Sequence, residues 1–461
     1  GIASSGGAGK VTAEWMMNGH INEDLFSLDI KRFQKFHSSK KFIMERITET
    51  LGDLYGMHWP YKQHKTSRNI KKLPYHDLLK GYGACFGVSA GYERPMWFAL
   101  DGEKPEYEHS FNYQNWFPSV EYETNNTVKN VGLFDLSPFA KFELNSEYAY
   151  SELQKICTSN IKNEIGKCTY TQMLNSDGGI ETDLTVVCID QNKFRIISSA
   201  ATRERDKFHI RKHLSEEIEL KDVTDDYCVF GIFGPKSRFL MQDLSNEDFT
   251  NENFKFATSK LIEINNIKIW TQRLSYVGEL GYELYVKTND AREIYEIITK
   301  KGVKFNLSNC GMHALDTMRM ECGFLHWGHD ISPEENQYQA GLSFTISHKK
   351  DVDFIGKKAL ERIKKEKIKS RFAMFVLKNS KPGEPLLLHD EPIYLEDKII
   401  GRSTSGNYSF NFKKNLIFGY INNDFSNEEL KNKNLFIEVE KKKYPIEIQL
   451  KALKQTDFKN L

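Results

Sequence analysis

The pattern of apolar and polar positions predicts strands and helices over most of the chain, and it changes character near residue 371. From about residue 107 to about residue 370, strand-like alternation and helical periodicity follow one another, which indicates a region of mixed α and β structure. A helix is predicted at NDAREIYEIITKKG, where Ile294, Ile297 and Ile298 share one face, and another at HALDTMRMECGFL. After residue 371, short alternating segments separated by turn residues predict a small all-β domain.

The chain opens with GIASSGGAGKVTAEWMMNGH, which predicts a glycine-rich loop that enters a short helix ending at Gly19. The stretch lacks the spacing of a P-loop and of a dinucleotide-binding motif, so a ligand loop and a tight turn with a helix cap both stay open. Residues from about 37 to 106 mix a helical start with a turn-rich aromatic segment, which predicts a small linking domain. The basic stretch KKALERIKKEKIKS predicts a solvated helix at a domain boundary.

Length and charge limit the classes of function. A chain of 461 residues is too long for a single hydrophobic core, so several domains are expected. Lys and Arg total 64 against 63 for Asp and Glu, and a formal net charge of +1 gives no overall field that attracts nucleic acid or an anionic membrane. No apolar run approaches the ~18 residues that a membrane span needs. Binding partners must therefore be sought at local sites.

The seven cysteines are scattered along the chain and include no C-x-x-C pair, which argues against a disulfide framework or a cysteine zinc site. This usage is typical of a reducing compartment, so we expect the cytoplasm, or the mitochondrial matrix if the source is eukaryotic. The chain begins with glycine inside a glycine-rich pattern, and we therefore expect further residues upstream.

The stretch LNSDGGIETDLTVV places an aspartate at the start of an apolar strand. The segment NSDGG predicts a turn, and the alternation puts Asp183 and Thr185 on one face of the following strand, with Leu184 and Val186 on the other. An aspartate in this position is typically a turn or cap residue. The functional alternative is a carboxylate in a partly apolar pocket that takes a proton from a nitrogen nucleophile.

A second segment, RLSYVGELGYELY, combines glycines, tyrosines and carboxylates. Gly278 and Gly281 would let the backbone approach a flat ligand, Tyr276 could stack on it, and Glu283 could accept two parallel N–H bonds. A glycine-bulged hairpin with surface carboxylates explains the same spacing.

A third segment, DTMRMECGFLHWGHD, places Asp316 and Arg319 three residues apart on a helix, where they can form an ion pair. His326 and His329 follow the helix but lack the H-E-x-x-H spacing, so no metal site is predicted. The chain also has no G-x-S-x-G motif, which disfavours hydrolysis through a covalent serine intermediate.

Five segments in this order resemble the tetrahydrofolate-binding aminomethyltransferase of the glycine-cleavage T-protein: YTQMLNSDGGIETDLTV, RLSYVGELGYELY, ALDTMRMECGFLHWGHDI, DFIGKKAL and GRSTSGNYS. The resemblance covers residues 107–461. Upstream, GVSAGYERPMWFA and VGLFDLSPFAKFEL resemble the linker and entry strands of dimethylglycine and sarcosine dehydrogenases, in which a flavin amine-oxidising domain precedes the folate domain. The opening GIASSGGAGK resembles the last flavin-contacting loop of that domain.

The resemblance implies a multidomain α+β fold with α/β subdomains and a C-terminal β-barrel. The implied domains are the tail of an FAD-dependent oxidoreductase domain (1–36), a linker domain (37–106), a folate-binding aminomethyltransferase domain (107–371) and a C-terminal β-barrel domain (372–461). The implied cofactors are tetrahydrofolate and FAD. Most of the FAD site would lie upstream of residue 1, so Gly6, Gly7 and Gly9 are the only expected contacts to it in this chain.

The resemblance also assigns roles to individual residues. Asp183 matches the catalytic aspartate beside the folate nitrogens; the T-protein usually has two adjacent aspartates there, whereas this chain has Thr182 and Asp183. Glu283 matches the carboxylate that binds the amino-amide edge of the pterin. The other expected folate contacts are Tyr276 beside the folate, Tyr170, Met173 and Leu174 in the wall of the pterin pocket, Arg319 as a polar contact, and Arg402 near the folate tail.

The implied function is that of the folate-binding part of an FAD-dependent N-methylamine dehydrogenase, which captures the released one-carbon unit as methylene-tetrahydrofolate. The expected partners are a methylated amine and folate, without nucleic acid or membrane. A stand-alone aminomethyltransferase or a folate-dependent demethylase is one alternative, and a non-catalytic regulatory homologue is another. The sequence leaves open which amine is oxidised, whether the folate site is active and how many chains assemble.

Overall fold

The computed structural model describes residues 2–21 and 23–457. The helices within these ranges are α1 (Ser5–Asn18), α2 (Lys40–Asp53), α3 (His76–Gly81), α4 (Phe117–Lys129), α5 (Ala149–Ile156), α6 (Arg203–His213), α7 (Ser237–Leu244), α8 (Ala291–Gly302), α9 (Met312–Glu321), α10 (Lys357–Ile363) and α11 (Asn427–Leu430). The strands are β1 (Ala84–Ser89), β2 (Tyr92–Phe98), β3 (Val131–Asp135), β4 (Ala140–Asn145), β5 (Cys168–Leu174), β6 (Ile180–Asp190), β7 (Lys193–Ser198), β8 (Leu220–Asp222), β9 (Tyr227–Phe233), β10 (Thr258–Ile264), β11 (Ile267–Arg273), β12 (Gly281–Lys287), β13 (Leu307–Cys310), β14 (Ser370–Leu377), β15 (Pro392–Leu395), β16 (Lys398–Ser409), β17 (Lys414–Asn422), β18 (Leu435–Val439) and β19 (Lys442–Gln449).

Two sheets form the centre of the molecule. A five-stranded antiparallel sheet has the strand order β5-β6-β7-β4-β8, and a six-stranded sheet has the order β10-β11-β12-β9-β3-β13. In the six-stranded sheet only the pair of β13 with β3 is parallel. Helices alternate with these strands along the chain, so the predicted mixed α and β region is confirmed.

The C-terminal strands close into a barrel in the order β14-β17-β16-β15-β18-β19. Alternate side chains of these strands, among them Phe375, Ile417 and Ile437, fill the barrel interior and are almost fully buried. The predicted all-β domain after residue 371 is therefore confirmed, and closure leaves none of its six strands with a free edge.

The five-stranded sheet buries one face of β6 and leaves the other face for chemistry. Leu184 and Val186 pack with Phe194 in a core that also takes in residues of α5 and α6. Asp183 and Thr185 lie on the opposite face and are only partly buried, as the alternation predicts.

The six-stranded sheet repeats this arrangement at β12. Tyr282 and Leu284 lie in the core beneath α7 and α8, where they are fully buried. Glu283 and Tyr285 project from the other face, where Tyr285 joins a second core that includes residues of α4 and α9. The alternation along β12 therefore places Tyr282 and Leu284 in the core and Glu283 on the opposite face of the sheet.

The beginning of the chain differs from its prediction. Gly6, Gly7 and Gly9 lie inside α1, which begins at Ser5, so the predicted glycine-rich loop is wrong. The predicted helix end is confirmed, since Gly19 has a φ of 75° and its N–H bonds to the carbonyl of Trp15.

The two helices predicted from periodicity are present as α8 and α9. Ile294 and Ile298 of α8 are fully buried and Ile297 is half-buried. All seven cysteines are free, which agrees with the prediction from their spacing. None of the helices in the described ranges combines the length and the apolar composition that crossing a membrane requires.

Candidate functional site

The two carboxylates singled out in the sequence occupy equivalent places in the two sheets. Asp183 stands directly opposite Gln172 in the antiparallel pair of β6 with β5. Glu283 stands opposite Gln272 in the pair of β12 with β11. Each carboxylate therefore has a glutamine as its cross-strand neighbour on the same face of its sheet.

The carboxylate of Asp183 is held in a largely apolar setting by two donors. The amide Nε2 of Gln172 donates to Oδ1 of Asp183 at 2.7 Å. Burial raises the pKa of Asp183 to about 6, while the hydrogen bonds from Gln172 and from the Tyr170 hydroxyl partly oppose this rise. The side chain is thus mostly ionised at neutral pH yet basic enough to accept a proton.

The carboxylate of Glu283 also accepts a hydrogen bond and also has a raised pKa. The hydroxyl of Tyr285 donates to Oε2 of Glu283 at 3.0 Å. Burial raises the pKa of Glu283 to about 7, and the hydrogen bond from Tyr285 offsets part of that increase. A carboxylate in this state gains most when a ligand brings it additional N–H donors.

An unpaired acceptor lies beside Glu283. Within the described part of the chain, the Oε1 atom of the buried Gln272 side chain has no hydrogen-bond partner. Because Gln272 and Glu283 are cross-strand neighbours, their side chains lie on the same face of the sheet. This face of the sheet therefore has a hydrogen-bond acceptor, Oε1 of Gln272, that receives no bond from a described protein donor. Such an acceptor beside a carboxylate favours a ligand with several N–H groups.

Two tyrosines lie close to Asp183. Burial raises the pKa of Tyr170 and of Tyr276, and the negative charge of Asp183 adds to both shifts, which places the three side chains together. The Tyr276 hydroxyl donates to the carbonyl of Leu325 at 2.7 Å, and its ring stacks on Phe324 at 5.8 Å between centroids. The Tyr170 side chain is 39% exposed, and its ring is stacked with that of Phe344 at 6.4 Å between centroids.

The loop that carries Tyr276 requires glycine at Gly278. Gly278 has a φ of 73°, and a Cβ atom added there would lie 2.2 Å from the Sγ atom of Cys322. On the other side of the loop, the hydroxyl of Thr456 donates to the carbonyl of Gly278 at 2.8 Å. Glu279, the other carboxylate of the motif, forms an ion pair with Lys454 and is not part of the Asp183 group.

Met173 and Leu174, predicted to line the pterin pocket, are both fully buried in the protein core. Both side chains are fully buried in the described structure, Met173 in the core of the five-stranded sheet and Leu174 against Trp327 and Phe418. They support the strand that carries Gln172 from behind. Their direct contact with folate stays a prediction.

Arg319 is the centre of a buried network. Its guanidinium donates to Asp316 at 2.8 Å, to Asp330 at 2.5 Å and to the Ser405 hydroxyl at 3.0 Å. These bonds join α9 to the following loop and to β16 of the barrel. The predicted ion pair with Asp316 is confirmed, whereas a contact of Arg319 with folate stays a prediction.

Arg402 lies on the outside of the barrel. Its side chain is 57% exposed and forms an ion pair with Asp390, with Glu334 3.9 Å away. The guanidinium is free to rearrange in solvent, and its role near a folate tail stays a prediction.

The two histidines after α9 lie beside the Arg319 network. The rings of His326 and His329 are 4.6 Å apart between centroids. Burial and then the neighbouring His329 lower the pKa of His326 to about 3, and Arg319 adds to this effect.

One group of metal-ligating side chains occurs elsewhere in the described ranges. Glu49, Asp53 and His64 lie together in the linker region. The Glu49 carboxylate already accepts from the backbone N–H groups of Lys65 and Thr66, and Asp53 pairs with Lys62. These internal partners account for the group without an ion.

A cavity of about 310 Å³ lies between the N-terminal segment and β6. Its walls include Trp15 and Phe208, and Glu181 reaches it from β6, two residues before Asp183. Arg205 pairs with Glu181 at this wall.

Three family models match the sequence. The GCVT N-terminal domain matches residues 75–350, the FAD dependent oxidoreductase central domain matches residues 18–72, and the glycine cleavage T-protein C-terminal barrel domain matches residues 371–453. The first of these alone covers more than half of the chain. Together they account for nearly all of its length.

Individual proteins agree with these matches. The chain is 36% identical over 409 residues to 4-methylaminobutanoate oxidase (formaldehyde-forming) of Paenarthrobacter nicotinovorans, which covers 88% of this chain and 49% of the relative. It is 30% identical over 424 residues to the mitochondrial dimethylglycine dehydrogenase of Rattus norvegicus, which covers 91% of this chain and 49% of the relative. The chain thus spans about half the length of these relatives.

A solved structure has the same fold. The glycine cleavage system aminomethyltransferase T from Bartonella henselae superposes with a TM-score of 0.69 at 22% identity, covering 84% of this chain and 99% of that structure. The predicted T-protein-like fold with its C-terminal barrel is therefore confirmed.

Proposed function

The chain belongs to the glycine-cleavage T-protein family, and from that membership and its similarity to dimethylglycine and sarcosine dehydrogenases we propose that it binds tetrahydrofolate and transfers a one-carbon unit to it. The observation that carries the proposal is the placement of Asp183 and Glu283, each opposite a glutamine of the neighbouring strand and each in surroundings whose burial raises its pKa. The two groups have separate tasks.

Glu283 binds the pterin in this proposal. The amino-amide edge of a pterin presents parallel N–H donors, which a carboxylate accepts in a charge-assisted pair. The unpaired Oε1 atom of Gln272 supplies a further acceptor next to it, and this supports the fit of a ligand with more than two N–H groups. The rings of Tyr170 and Tyr276 supply flat surfaces for the rest of the ligand.

Asp183 is the proton acceptor. When bound, tetrahydrofolate supplies a nucleophilic nitrogen that receives the carbon, giving methylene-tetrahydrofolate. Asp183 holds the N–H of that nitrogen and takes its proton as the new carbon–nitrogen bond forms. Its pKa of about 6 keeps it ionised at neutral pH while leaving it a stronger base than an exposed aspartate. The apolar surroundings limit the access of water to the activated carbon.

The source of the carbon is an N-methylated amine in this proposal. The names of the relatives, which include an oxidase that forms formaldehyde and a dimethylglycine dehydrogenase, support oxidation of such an amine to an iminium or to formaldehyde. With an iminium donor, the two hydrogens lost from the folate nitrogens leave on the departing amine as its ammonium form. With formaldehyde, they leave with the carbonyl oxygen as water.

Gly6, Gly7 and Gly9, the residues expected to contact FAD, lie on the exposed helix α1, and nothing beyond their own turns of that helix comes within 4 Å of the positions that Cβ atoms would take on them. Their contact with FAD stays a prediction. The match of residues 18–72 to the central domain of FAD-dependent oxidoreductases supports flavin chemistry in the whole protein.

The experiment is a single-turnover transfer assay with tetrahydrofolate and formaldehyde, corrected for the uncatalysed reaction. We expect Asp183→Asn to lower the transfer rate roughly 10²-fold or more with little change in folate affinity, and Glu283→Ala to do the reverse. Transfer from an aminomethyl donor but not from formaldehyde would favour a stand-alone aminomethyltransferase. A folded chain that binds no tetrahydrofolate would favour a non-catalytic homologue.

A further inference from the structure

Gln172 is fully buried and directs its amide at the carboxylate of Asp183. The two residues are paired across β5 and β6, and Nε2 of Gln172 lies 2.7 Å from Oδ1 of Asp183. Both side chains leave neighbouring strands on the same face, which brings the amide to Oδ1 of Asp183. Because a carboxylate has about four acceptor positions on its two oxygens, the bonds from Gln172 and Tyr170 leave room for a further N–H donor from a ligand.

Two buried side chains hold the opposite end of the Gln172 amide. Nε2 of Gln337 donates to Oε1 of Gln172 at 2.8 Å, and the Thr345 hydroxyl lies 2.5 Å from the same oxygen. Gln337 is fully buried and Thr345 is 4% exposed. We call Gln172, Gln337 and Thr345 the amide clamp.

The amide clamp fixes which end of Gln172 faces Asp183. A reversed amide would place the Oε1 atom of Gln172 against the carboxylate and its Nε2 atom against the Nε2 atom of Gln337, and both contacts would be repulsive. Gln337 has a further contact, because its Nε2 atom also lies 3.0 Å from the Thr158 hydroxyl, while its buried Oε1 atom has no hydrogen-bond partner among the described residues. The donor is therefore aimed at Asp183 before any ligand arrives, at no reorganisation cost during the reaction.

The clamp joins parts of the chain that are far apart in sequence. Gln172 lies on β5, whereas Gln337 and Thr345 belong to the segment that leads from α9 towards the barrel. Burying three polar side chains between these elements costs free energy unless each one is paired. An apolar set of similar volume would pack the same space, so the arrangement indicates a task beyond packing.

We propose that Gln172 is a positioning residue for the one-carbon transfer: held by Gln337 and Thr345, it fixes one oxygen of Asp183 and directs the other towards the folate nitrogen. The proposal rests on the proposed function of Asp183. Gln172 contacts neither the folate nor the carbon in this account, and it acts only through Asp183.

Other groups near Asp183 also affect its pKa. Tyr170 on β5 donates a hydrogen bond to it, Asp206 on α6 repels its negative charge, and the ring of Tyr276 lies nearby in the loop before β12. The pKa of Asp183, raised to about 6 by burial, is the net result. Removal of the Gln172 donor leaves the other three groups in place, so it raises the pKa of Asp183 further.

The test begins with the ligand-free protein, so that its outcome does not depend on folate binding. The ionisation of Asp183 is followed by infrared difference spectroscopy of the ¹³C-aspartate-labelled chain, with Asp183→Asn as the subtraction reference. In Gln172→Leu we expect the pKa of Asp183 to rise by about 1 unit or more, as the loss of a hydrogen bond to a charged group predicts. Thr345→Val, which loosens the clamp but keeps the donor, should give a smaller shift in the same direction.

The second readout is the pH profile of the transfer rate with formaldehyde and tetrahydrofolate. The acid limb of Gln172→Leu should move upward by the shift measured spectroscopically, so that the rate falls roughly 5-fold at pH 6 for a shift of about 1 unit and recovers at high pH. Folate affinity should change less than about 3-fold. Gln172→Asn, which is one carbon too short to reach Asp183, should behave like Gln172→Leu.

The matched control is Gln154→Leu. Gln154 is another buried glutamine, 6% exposed, that bonds to Asn160 and Ile161 and does not contact Asp183. An unchanged pKa of Asp183 in folded Gln172→Leu, or a rate loss that is equal at every pH and matched by Gln154→Leu, would overturn the proposal. If Gln172→Leu fails to fold, Thr345→Val decides by the same criteria. If the wild-type chain does not transfer the one-carbon unit to tetrahydrofolate, the proposed function is refuted instead. The infrared measurement uses the ligand-free protein and does not depend on that transfer.

Discussion

Tyr285 and Glu283 lie two residues apart on β12, and the hydroxyl of Tyr285 donates to Oε2 of Glu283 at 3.0 Å. The ring of Tyr285 is in turn covered by the guanidinium of Arg195, whose central carbon lies 5.5 Å from the ring centroid. Arg195 is itself paired with Glu143 at 2.6 Å. The carboxylate proposed to bind the pterin is thus supported from within its own strand and from the neighbouring sheet.

The first prediction concerns Tyr285→Phe. The hydroxyl lowers the pKa of Glu283 against the effect of burial, so its removal should raise that pKa above 7 and leave less carboxylate at pH 7. We expect tetrahydrofolate affinity to weaken roughly 3- to 10-fold at pH 7 and to recover near pH 9. Calorimetric titration at both pH values measures this, with Tyr282→Phe on the opposite face of β12 as control. Equal weakening at both pH values would contradict it.

The second prediction is that folate binding releases protons. The pKa of Glu283 is about 7 without ligand, and N–H donors from the pterin favour the ionised form. Affinity should therefore rise as the pH increases from 6 to 8. Calorimetry at pH 7 in buffers of different ionisation enthalpy should show release of up to about half a proton per site, since about half of the Glu283 side chains are protonated at that pH. A binding enthalpy that is independent of the buffer would count against this role.

The third prediction is a gain of stability when Glu283 becomes an amide. The folded-state pKa of about 7 lies above the ordinary value of 4.5, so the folded chain holds its proton more tightly and loses stability as the pH rises through this range. Glu283→Gln should therefore raise the thermal midpoint at pH 8, by an amount worth about 1–2 kcal/mol after solvent screening. The gain should vanish near pH 4.

Glu263→Gln is the control for this measurement, because Glu263 is an exposed glutamate on β10 of the same sheet. Its thermal midpoint should match the wild type at both pH values. A lower midpoint for Glu283→Gln at pH 8 would show that the carboxylate serves stability instead of ligand binding.

The fourth prediction concerns Arg319. Arg319 is 2% exposed and its partner Asp330 is fully buried, so Arg319→Met leaves an unpaired buried carboxylate. We expect the free energy of unfolding to fall by about 3–5 kcal/mol. Arg402→Met, which removes an exposed guanidinium, should cost less than about 1 kcal/mol. Chemical denaturation compares the two. Weakened folate binding with unchanged stability in Arg319→Met would instead indicate a ligand contact.

The alternation of apolar and polar residues was sufficient to predict much of the fold. Period-two alternation placed Asp183 on the face of β6 opposite to Leu184 and Val186, and the structure confirms it. The same reasoning predicted a small all-β domain after residue 371, since its strands are short and separated by turn residues, while its closure into a barrel was implied by the resemblance to the T-protein. These features depend on neighbours in sequence, which a single chain displays directly.

Features that depend on distant neighbours could not be predicted. Gln172 stands in the recognised segment YTQML, but its clamp to Gln337 and Thr345 joins residues more than 160 positions apart. Tyr285 likewise gave no sign that its hydroxyl would bind Glu283, since an aromatic residue on a strand is usually packing. The glycines Gly6 and Gly7 suggested a loop because their low helix propensity outweighed the helical residues that follow them.

The central claim is that Glu283 is the binding residue of a working folate site, and equilibrium calorimetry with tetrahydrofolate tests it most directly. The wild-type chain and Glu263→Ala should bind with the same affinity, while folded Glu283→Ala should bind at least about 10-fold more weakly, since a charge-assisted pair of hydrogen bonds is lost. No binding to the folded wild-type chain, or equal binding by all three proteins, would contradict the account.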